Sequence, residues 1–330
     1  MFRSILAVSL AGSALVLAGC GDQTETSAVS AETVTEPVFV FPDEAEPTPF
    51  NRAYTLTESA DGTVRLFTKE SRDDTDIYEM RLQEDGTWSE PEVLDWPKRR
   101  SNTNPHFSPF DGRLYFASDR PIEGLEVKRD MNLWSVELTE EGWGEAVPVP
   151  GDVNTGEAET SVSTSENGYM AFVSKYPYPR GEGGQSNQGG QDIYLARFDD
   201  ASGEWKMETL PDHVNSPFVE SHVAITPDGN NILYYSRRSP KLGQVNIVAI
   251  TRTDDEDMGG WSEPYNLGPV INAGDFAFGP GMSADGETFF FSRGGRLMEL
   301  PASELNTILT NAYEASLAGE EEAFIGLTDK

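Results

Sequence analysis

The sequence predicts an all-β fold: a five-bladed β-propeller of four-stranded antiparallel blades, followed by a C-terminal amphipathic helix. Three observations lead to this prediction. A turn containing Asp-Gly or Asn-Gly recurs five times, an apolar strand follows each turn, and four of the six tryptophans fall at one position of the repeat. A repeat of roughly 50 to 60 residues with four strands is typical of a propeller blade, because radial stacking buries both faces of every sheet.

The recurring turn separates the first two strands of each predicted blade. Glycine lets the backbone adopt positive φ at such a turn, and the turn favours a hairpin. The stretch from Asn104 to Pro148 shows the whole unit, from the first strand through the turn to a fourth strand at Val147-Pro148. The turns lie at residues 59–62, 108–112, 165–168, 226–229 and 283–286.

The second and third strands of each repeat are also recognisable. The second strand is apolar on both faces, as in the Phe-Phe-Phe of residues 289–291, which indicates a fully buried strand. It ends in a hydroxyl and a cation, and the third strand begins with patterns such as Asp192-Ile193-Tyr194. The tryptophans at the following turn are Trp88, Trp143, Trp205 and Trp261.

The pattern Ser-Pro-Asp-Gly, apolar strand, Ser-Asp-Arg, Asp-Ile-Tyr and Gly-Trp resembles the WD40-like (PD40-type) repeat of TolB-like propellers. The resemblance covers roughly residues 50 to 300. It implies a periplasmic protein with protein or peptide partners. The marked positions are turn and packing residues, so the motif is specific for the fold, and function has to be sought at a site.

Residues 1–19 are predicted to be a lipoprotein signal peptide. Arg3 gives a positive start, residues 5–17 are apolar, and Leu17-Ala18-Gly19-Cys20 fits a lipoprotein cleavage box. Cys20 is the only cysteine of the chain, so we expect it to carry the lipid; an ordinary secretory signal with a chance cysteine is the alternative. Gly21 in place of aspartate resembles the enterobacterial sorting pattern, which implies the outer membrane, facing the periplasm.

Residues 20–49 are predicted to be a flexible, lipidated tether, because they are rich in Thr, Ser, Glu, Ala and Pro. The exception is the apolar run at residues 37–41. The fifth repeat lacks a Trp turn and a fourth strand, so this run could complete the last blade of a propeller at residues 50–301. Packing against the first blade is the alternative, and a sixth, degenerate blade also stays open.

After Pro301 the apolar spacing changes to a helical period, which predicts a helix over residues 302–319 and a tail over 320–330. Ser303 is the predicted N-cap and Gly319 the predicted C-cap. We expect the helix to pack on the propeller; a partner-binding helix is the alternative. Its stripe consists of Leu305, Ile308, Leu309, Ala312, Tyr313 and Ser316.

The composition limits the partners. A formal net charge of −32 excludes nucleic acid as a ligand, because the phosphate backbone would be repelled. The acidic runs at residues 73–76 and 254–257 lack the spacing of a calcium loop, and the three histidines do not form a metal cluster. We therefore predict no metal and no cofactor.

The predicted binding site is the mouth of the central channel, where the first strands begin and the second strands end. Asn104 and His222 lie near the start of first strands. The cations at the ends of second strands could together fix an anionic group of a ligand. The alternative is structural: Glu159 pairs with Lys175 and Glu220 with Arg237, or the cations bond to the Asp of the next strand. These cations are Lys69, Arg120, Lys175, Arg237 and Arg293.

A long loop of the third blade opens on the same face. It begins with Tyr176, Tyr178 and Arg180, which are residue types common at binding surfaces, and continues with a Gly/Gln-rich run to Gln191. A flexible insertion without a binding role is the alternative. This run is no phosphate loop, because it contains no Gly-Lys-Ser/Thr and opens no helix.

An enzyme would need a catalytic group at the mouth. Glu159 and Glu220 could act as the two carboxylates of a glycosidase, but the matching positions Ala53, Asn102 and Ala277 supply no third acid. We therefore predict a protein- or ligand-binding scaffold without catalytic activity. Its expected partner is an envelope protein or peptide, or a small anionic ligand. A carbohydrate-binding or glycoside-hydrolysing propeller is the alternative.

Overall fold

The computed structural model describes residues 34–40, 52–70, 75–94, 96, 101–125, 130–175, 190–257 and 259–327. Within these ranges the chain forms five four-stranded antiparallel sheets, which are the five predicted blades. The signal peptide, Cys20, Gly21 and the loop residues Tyr176, Tyr178 and Arg180 lie outside the described residues.

The strands follow one another blade by blade. The first blade contains β2 (Ala53–Glu58), β3 (Val64–Glu70), β4 (Thr75–Arg81) and β5 (Glu92–Val93). The second contains β6 (Asn102–Phe107), β7 (Leu114–Ser118), β8 (Asn132–Val136) and β11 (Val147–Pro148), with a small hairpin of β9 (Leu138–Thr139) and β10 (Gly142–Trp143). The third contains β12 (Glu159–Thr164), β13 (Tyr169–Ser174), β14 (Asp192–Asp199) and β15 (Glu204–Glu208).

In the described part of the chain, the helices accompany the last two blades. The fourth contains β16 (Ser221–Ile225), β17 (Asn231–Ser236), β18 (Asn246–Thr251) and β19 (Tyr265–Asn266). The fifth contains β20 (Ala277–Met282), β21 (Thr288–Arg293), β22 (Arg296–Pro301) and β1 (Val38–Phe39). A 3-10 turn covers Asp212–Val214, and the helices are α1 (Pro269–Asn272), α2 (Ala302–Ala318) and α3 (Glu321–Phe324).

The first strands of the blades are innermost and surround the channel. Each of β2, β6, β12, β16 and β20 contacts the innermost strands of both neighbouring blades, so the series closes on itself. A parallel bridge joins Glu58 to Ser283 at the seam of the last and first blades. The innermost strands therefore run in the same direction, and each face of the ring collects equivalent parts of all five blades.

The core is divided into five apolar clusters, one at each seam between neighbouring blades. Phe116 and Leu66, for example, share the cluster of the first and second blades, whereas Phe67 and Phe290 close the seam of the first and fifth. The remaining three clusters join the second to the third, the third to the fourth and the fourth to the fifth blade. This arrangement explains why the second strands are apolar on both faces.

Side-chain hydrogen bonds also connect the innermost strands of neighbouring blades. Thr57 Oγ1 donates to the Met282 carbonyl at 3.1 Å and accepts from Phe107 N at 3.1 Å, which links three blades. Thr164 N donates to His106 Nε2 at 2.8 Å, so this buried imidazole acts as an acceptor. Burial lowers the pKa of His106 from 6.5 to about 3, and the ring stays neutral.

The N-terminal run forms the outer strand of the fifth blade. Val38 pairs with Glu299 and Phe39 with Met298, both antiparallel, and Val40 N donates to the Leu297 carbonyl at 3.1 Å. The strand thus occupies the position left open by the fifth repeat, rather than packing on the first blade.

The C-terminal helix α2 packs on the propeller, as predicted. Leu305, Ile308, Leu309 and Ala312 are buried in the seam cluster of the fourth and fifth blades, so its apolar stripe is not a partner-binding surface. Gly319 ends the helix in the left-handed conformation, with φ of 72°. The predicted N-cap was wrong: Pro301 occupies that position, and Ser303 lies inside the helix. None of the helices in the described ranges has the length and apolarity required to cross a bilayer.

Candidate functional site

The start of each innermost strand lies on one face of the ring, which we call the mouth. The end of the second strand lies there too, because Ala53 pairs with Lys69 and Ala277 with Arg293. The turns between first and second strands are therefore on the opposite face.

A β-bulge interrupts every innermost strand near the mouth. Three residues at these bulges have positive φ although they are not glycine: Thr55 at 48°, Asn104 at 53° and His222 at 45°. Gly279, at 63°, is their counterpart in the fifth blade. Positive φ is uncommon for residues with a Cβ and costs most for β-branched threonine. Strained residues of this kind are concentrated at functional sites.

Four polar side chains connect the first three blades at this level: Thr55, Asn104, Thr160 and Gln191, which we call the polar group. Thr55 Oγ1 donates to Asn104 Oδ1 at 2.9 Å, and Asn104 Nδ2 donates to the Thr160 carbonyl. Gln191 Nε2 donates to Thr160 Oγ1 at 2.9 Å. The predicted ligand residue Asn104 therefore uses its amide to hold three blades together.

Four rings meet near the same bulges: Tyr54, Tyr235, Phe278 and the imidazole of His222, which we call the aromatic group. The His222 ring lies edge-on to Tyr54 and to Phe278, with centroids 5.4 Å apart in each pair. Tyr235 is 6.2 Å from His222. These rings come from the first, fourth and fifth blades, whereas the polar group comes from the first, second and third. The two groups together form what we call the throat.

His222 makes no hydrogen bond within the described residues. Its Nδ1 is buried without a partner, whereas the side chain as a whole remains partly exposed. Burial lowers the pKa of His222 from 6.5 to about 4, which keeps the ring neutral at neutral pH. Because a buried N–H without an acceptor is rarer than a buried acceptor without a donor, we place the proton on Nε2. The ring then offers Nε2–H to the channel.

Exposed aromatic side chains border the throat at the start of two innermost strands. Phe218 is 54% exposed and precedes β16, and Phe276 is 40% exposed and precedes β20. Arg237 is also exposed and donates from Nε to the Tyr235 hydroxyl at 3.0 Å. The mouth of the fourth and fifth blades thus combines exposed phenyl rings with a guanidinium, a combination common at binding surfaces.

The two glutamates considered for catalysis are fully buried and serve as structural acceptors. Glu159 accepts from Thr155 Oγ1 at 2.6 Å, from Thr155 N at 3.1 Å and from Ser174 Oγ at 2.8 Å. Burial, opposed by these hydrogen bonds, raises the pKa of Glu159 from 4.5 to about 7. The carboxylate fastens the loop that enters the third blade to the second strand of the same blade.

Glu220 repeats this arrangement in the fourth blade. It accepts from Ser216 Oγ at 2.6 Å and from Ser236 Oγ at 3.0 Å. The expected ion pairs were wrong in detail: Glu220 meets Arg238 at 3.5 Å rather than Arg237, and hydroxyls rather than Lys175 bind Glu159. Arg237 and Arg238 both lie just beyond the end of β17, and Arg238 is the one that turns towards the carboxylate.

The cations predicted to converge on an anionic group lie against separate partners. Arg120 stacks over Trp96 at 4.8 Å, and Arg293 donates from Nη1 to the Val270 carbonyl at 2.8 Å. Lys69 lies over the Tyr78 ring at 5.7 Å, and Lys175 is exposed. An anion site made of these five side chains is therefore not supported.

Sequence reasoning missed most of the throat. Counting back four residues from each turn identifies Asn104 and His222, and the same count in the first blade gives Thr55, which was not singled out. Tyr54 and Phe278 each directly neighbour this bulge position. The exposure of Phe276 could not be predicted, since phenylalanine before a buried strand usually belongs to the core.

The fold and the mouth together define a five-bladed β-propeller whose throat is lined by the polar and the aromatic group. No family model and no curated protein matches the sequence. Among solved structures, TolB from Acinetobacter baumannii aligns at 16% identity over 76% of this chain and 54% of its own, with a TM-score of 0.42. This chain therefore spans about half the length of that TolB.

Two solved hydrolases are similar in fold. A glycosyl hydrolase from Bacteroides ovatus aligns at 11% identity over 82% of this chain and 91% of its own, with a TM-score of 0.48. An alpha-L-arabinofuranosidase from Lactobacillus brevis aligns at 17% identity over 74% and 88%, with a TM-score of 0.43. Similarity at this level concerns the fold and assigns no function.

Proposed function

We propose that this chain is a lipid-anchored module of the bacterial envelope that binds a protein or peptide at the mouth of its propeller. The observation that carries the proposal is the coincidence, on one face, of the exposed rings of Phe218 and Phe276 with the strained, hydrogen-bond-free His222. Aromatic anchors beside a rigid concave centre supply most of the binding energy at many interfaces.

Binding is better supported than glycoside hydrolysis. A glycosidase needs two carboxyl groups that reach the scissile bond from either side. The side chains of Glu159 and Glu220 are fully buried; in each, Oε1 accepts from two hydroxyls and Oε2 from a backbone N–H. Both carboxylates are therefore explained by their structural role.

The mouth-binding proposal is tested by pull-down from envelope extract with the full chain, solubilised in detergent. We expect Phe218→Ala combined with Phe276→Ala to abolish capture of the partner, because both anchors are removed. Leu317→Ala is the matched control, since Leu317 is 71% exposed on α2 and its loss leaves the mouth intact. Equal capture by the double variant and by the control would contradict the proposal. A variant with alanine at Tyr176, Tyr178 and Arg180 tests the loop in the same assay.

The anchor is tested separately from the binding site. We expect metabolic labelling with a fatty-acid analogue to mark the intact chain and not a Cys20→Ser variant, because Cys20 is the only thiol. The variant should also move from the membrane fraction to the soluble fraction. Labelling that survives the substitution would contradict lipidation at Cys20.

A further inference from the structure

The throat presents a hydrogen-bond donor for which the described residues supply no acceptor. In the polar group, Asn104 Nδ2 donates to the Thr160 carbonyl and Gln191 Nε2 donates to Thr160 Oγ1. His222 differs, because neither ring nitrogen has a partner within the described residues and Nε2 keeps access to the channel. A ligand that supplies an oxygen acceptor there would satisfy the donor.

The throat is also uncharged. None of the eight side chains in the polar and aromatic groups is charged at neutral pH; burial keeps His222 neutral and raises the pKa of Tyr54 to about 12. Charges of both signs lie near it, among them Arg237, which donates to Tyr235, and Glu70, whose charge contributes to the raised pKa of Tyr54. A charged group inserted between the rings would lose its hydration without gaining an ion pair from these eight.

We propose that the throat receives an uncharged side chain of the partner, of the kind carried by Ser, Thr, Asn or Gln, whose oxygen accepts from Nε2–H of His222. This inference rests on the proposed binding function and names what that site selects. Phe218 and Phe276 contact the flanking residues of the peptide at the mouth, and the throat binds the side chain of one residue. The throat selects an uncharged polar residue over an apolar one, which would leave Nε2–H of His222 unpaired, and over a charged one, which would lose its hydration.

The backbone of His222 supports this role. The residue adopts φ of 45°, a conformation in which His, Asn and Asp are enriched among residues with a side chain. The bulge interrupts the ladder at His222, and the imidazole packs against Tyr54 and Phe278. The ring is thereby fixed by packing on two sides before any ligand arrives, which reduces the entropy lost on binding.

The test varies the peptide and leaves the protein intact. A random-peptide phage library is selected on the full chain in detergent, and the clones retained are those that lose binding to the Phe218→Ala, Phe276→Ala double variant but not to Leu317→Ala. Each position of a retained peptide is then replaced by Ala and by Asp. We expect one position, occupied by Ser, Thr, Asn or Gln, where Ala weakens binding about tenfold and Asp about 100-fold.

A spectroscopic readout identifies the donor. In a chain labelled with ¹⁵N-histidine, we expect the peptide to shift the Nε2 resonance of His222 and to leave His106 and His213 unchanged. Tolerance of Asp at every position, or an unmoved His222 resonance, would overturn the proposal while leaving binding at the mouth standing. Displacement of the peptide by the neutral saccharide maltohexaose at micromolar concentration would assign the throat to a glycan and overturn it too. Failure to select any mouth-dependent clone would overturn the proposed function itself.

Discussion

Asn104 combines backbone strain with hydrogen bonds to both neighbouring blades. Its backbone N–H donates to Thr68 Oγ1 at 2.8 Å, its Oδ1 accepts from Thr55, and its Nδ2 donates to the Thr160 carbonyl. Its φ of 53° lies in the left-handed region, which Asn tolerates better than most residues. Substitution by glycine separates the two contributions, because glycine adopts the left-handed conformation readily but has no side chain to make the hydrogen bonds.

We expect Asn104→Gly to lower the free energy of unfolding by about 2 kcal/mol, through loss of two buried side-chain hydrogen bonds. Asn104→Ala should lower the free energy of unfolding by about 1 kcal/mol more than Asn104→Gly, because the Cβ of alanine disfavours the left-handed conformation. Urea unfolding of the three proteins measures both differences. An alanine variant as stable as the glycine variant would show that the backbone is not strained at this position.

Glu159 makes the stability of the fold depend on pH. Its pKa is raised in the folded chain, from 4.5 to about 7, so between these values the folded state binds more protons than the unfolded state. The stability contributed by the protonated carboxyl is complete below about pH 4.5 and is lost as the pH rises through 7.

We expect Glu159→Gln to remove the loss of stability at rising pH, because the amide side chain cannot ionise. Relative to the wild type, the variant should gain on the order of 3 kcal/mol in the free energy of unfolding between pH 4.5 and pH 8. Denaturant unfolding across this range measures the difference in slope. Glu140→Gln is the control, since Glu140 is exposed. Parallel pH profiles for the wild type and Glu159→Gln would contradict a raised pKa.

At the scale of strands, the closing seam depends on a glycine in β20. A Cβ added to Gly281 would lie 2.4 Å from the Leu56 carbonyl oxygen of β2, well inside van der Waals contact. The first and fifth blades approach this closely because no side chain separates their innermost strands. Hydroxyl side chains link the innermost strands at this seam and at others, as in the bond from Ile225 N to Ser163 Oγ.

We therefore expect Gly281→Ala to destabilise the chain by about 3 kcal/mol, because the two backbones must move apart. Gly156→Ala is the control, since a Cβ at Gly156 meets nothing within 4 Å. Thermal unfolding of both variants gives the comparison. A Gly281→Ala variant that unfolds at the wild-type temperature would contradict the close approach at this seam.

The helix α2 offers a matched pair of leucines. Leu309 is buried against the fourth and fifth blades, whereas Leu317 is 71% exposed. We expect Leu309→Ala to cost about 3 kcal/mol and Leu317→Ala less than about 0.5 kcal/mol in unfolding free energy. Equal effects of the two substitutions, measured by urea unfolding, would show that the helix does not depend on the propeller for its stability.

For the molecule as a whole, the sequence was sufficient to predict the architecture. Turn glycines, apolar second strands and repeated tryptophans are local signals, and stacking of equivalent units turns them into a ring. Even the missing strand of the fifth blade could be anticipated from an apolar run at residues 37–41, part of which is β1. The turn and the apolar second strand recur in all five repeats and the tryptophan in four, so each signal is observed several times.

The site was much harder to predict. Sequence spacing places five cations on one face, but it does not say that Arg120 turns to Trp96 or that Arg238 replaces Arg237 beside Glu220. These cations follow the ends of the second strands, where the regular alternation of faces no longer fixes the direction of a side chain. The throat is built from contacts between blades, so its members are 50 or more residues apart in many pairs.

The central claim is that partners bind at the mouth and not at the opposite face. Photo-crosslinking in cells tests it most directly, with p-benzoylphenylalanine placed at Phe218 or Phe276 at the mouth, or at the exposed Glu166 or Asp285 in turns of the opposite face. We expect covalent adducts with the same partner from both mouth positions and none from the two turns. Adducts that form from Glu166 or Asp285 while the mouth positions stay unreactive would contradict the claim.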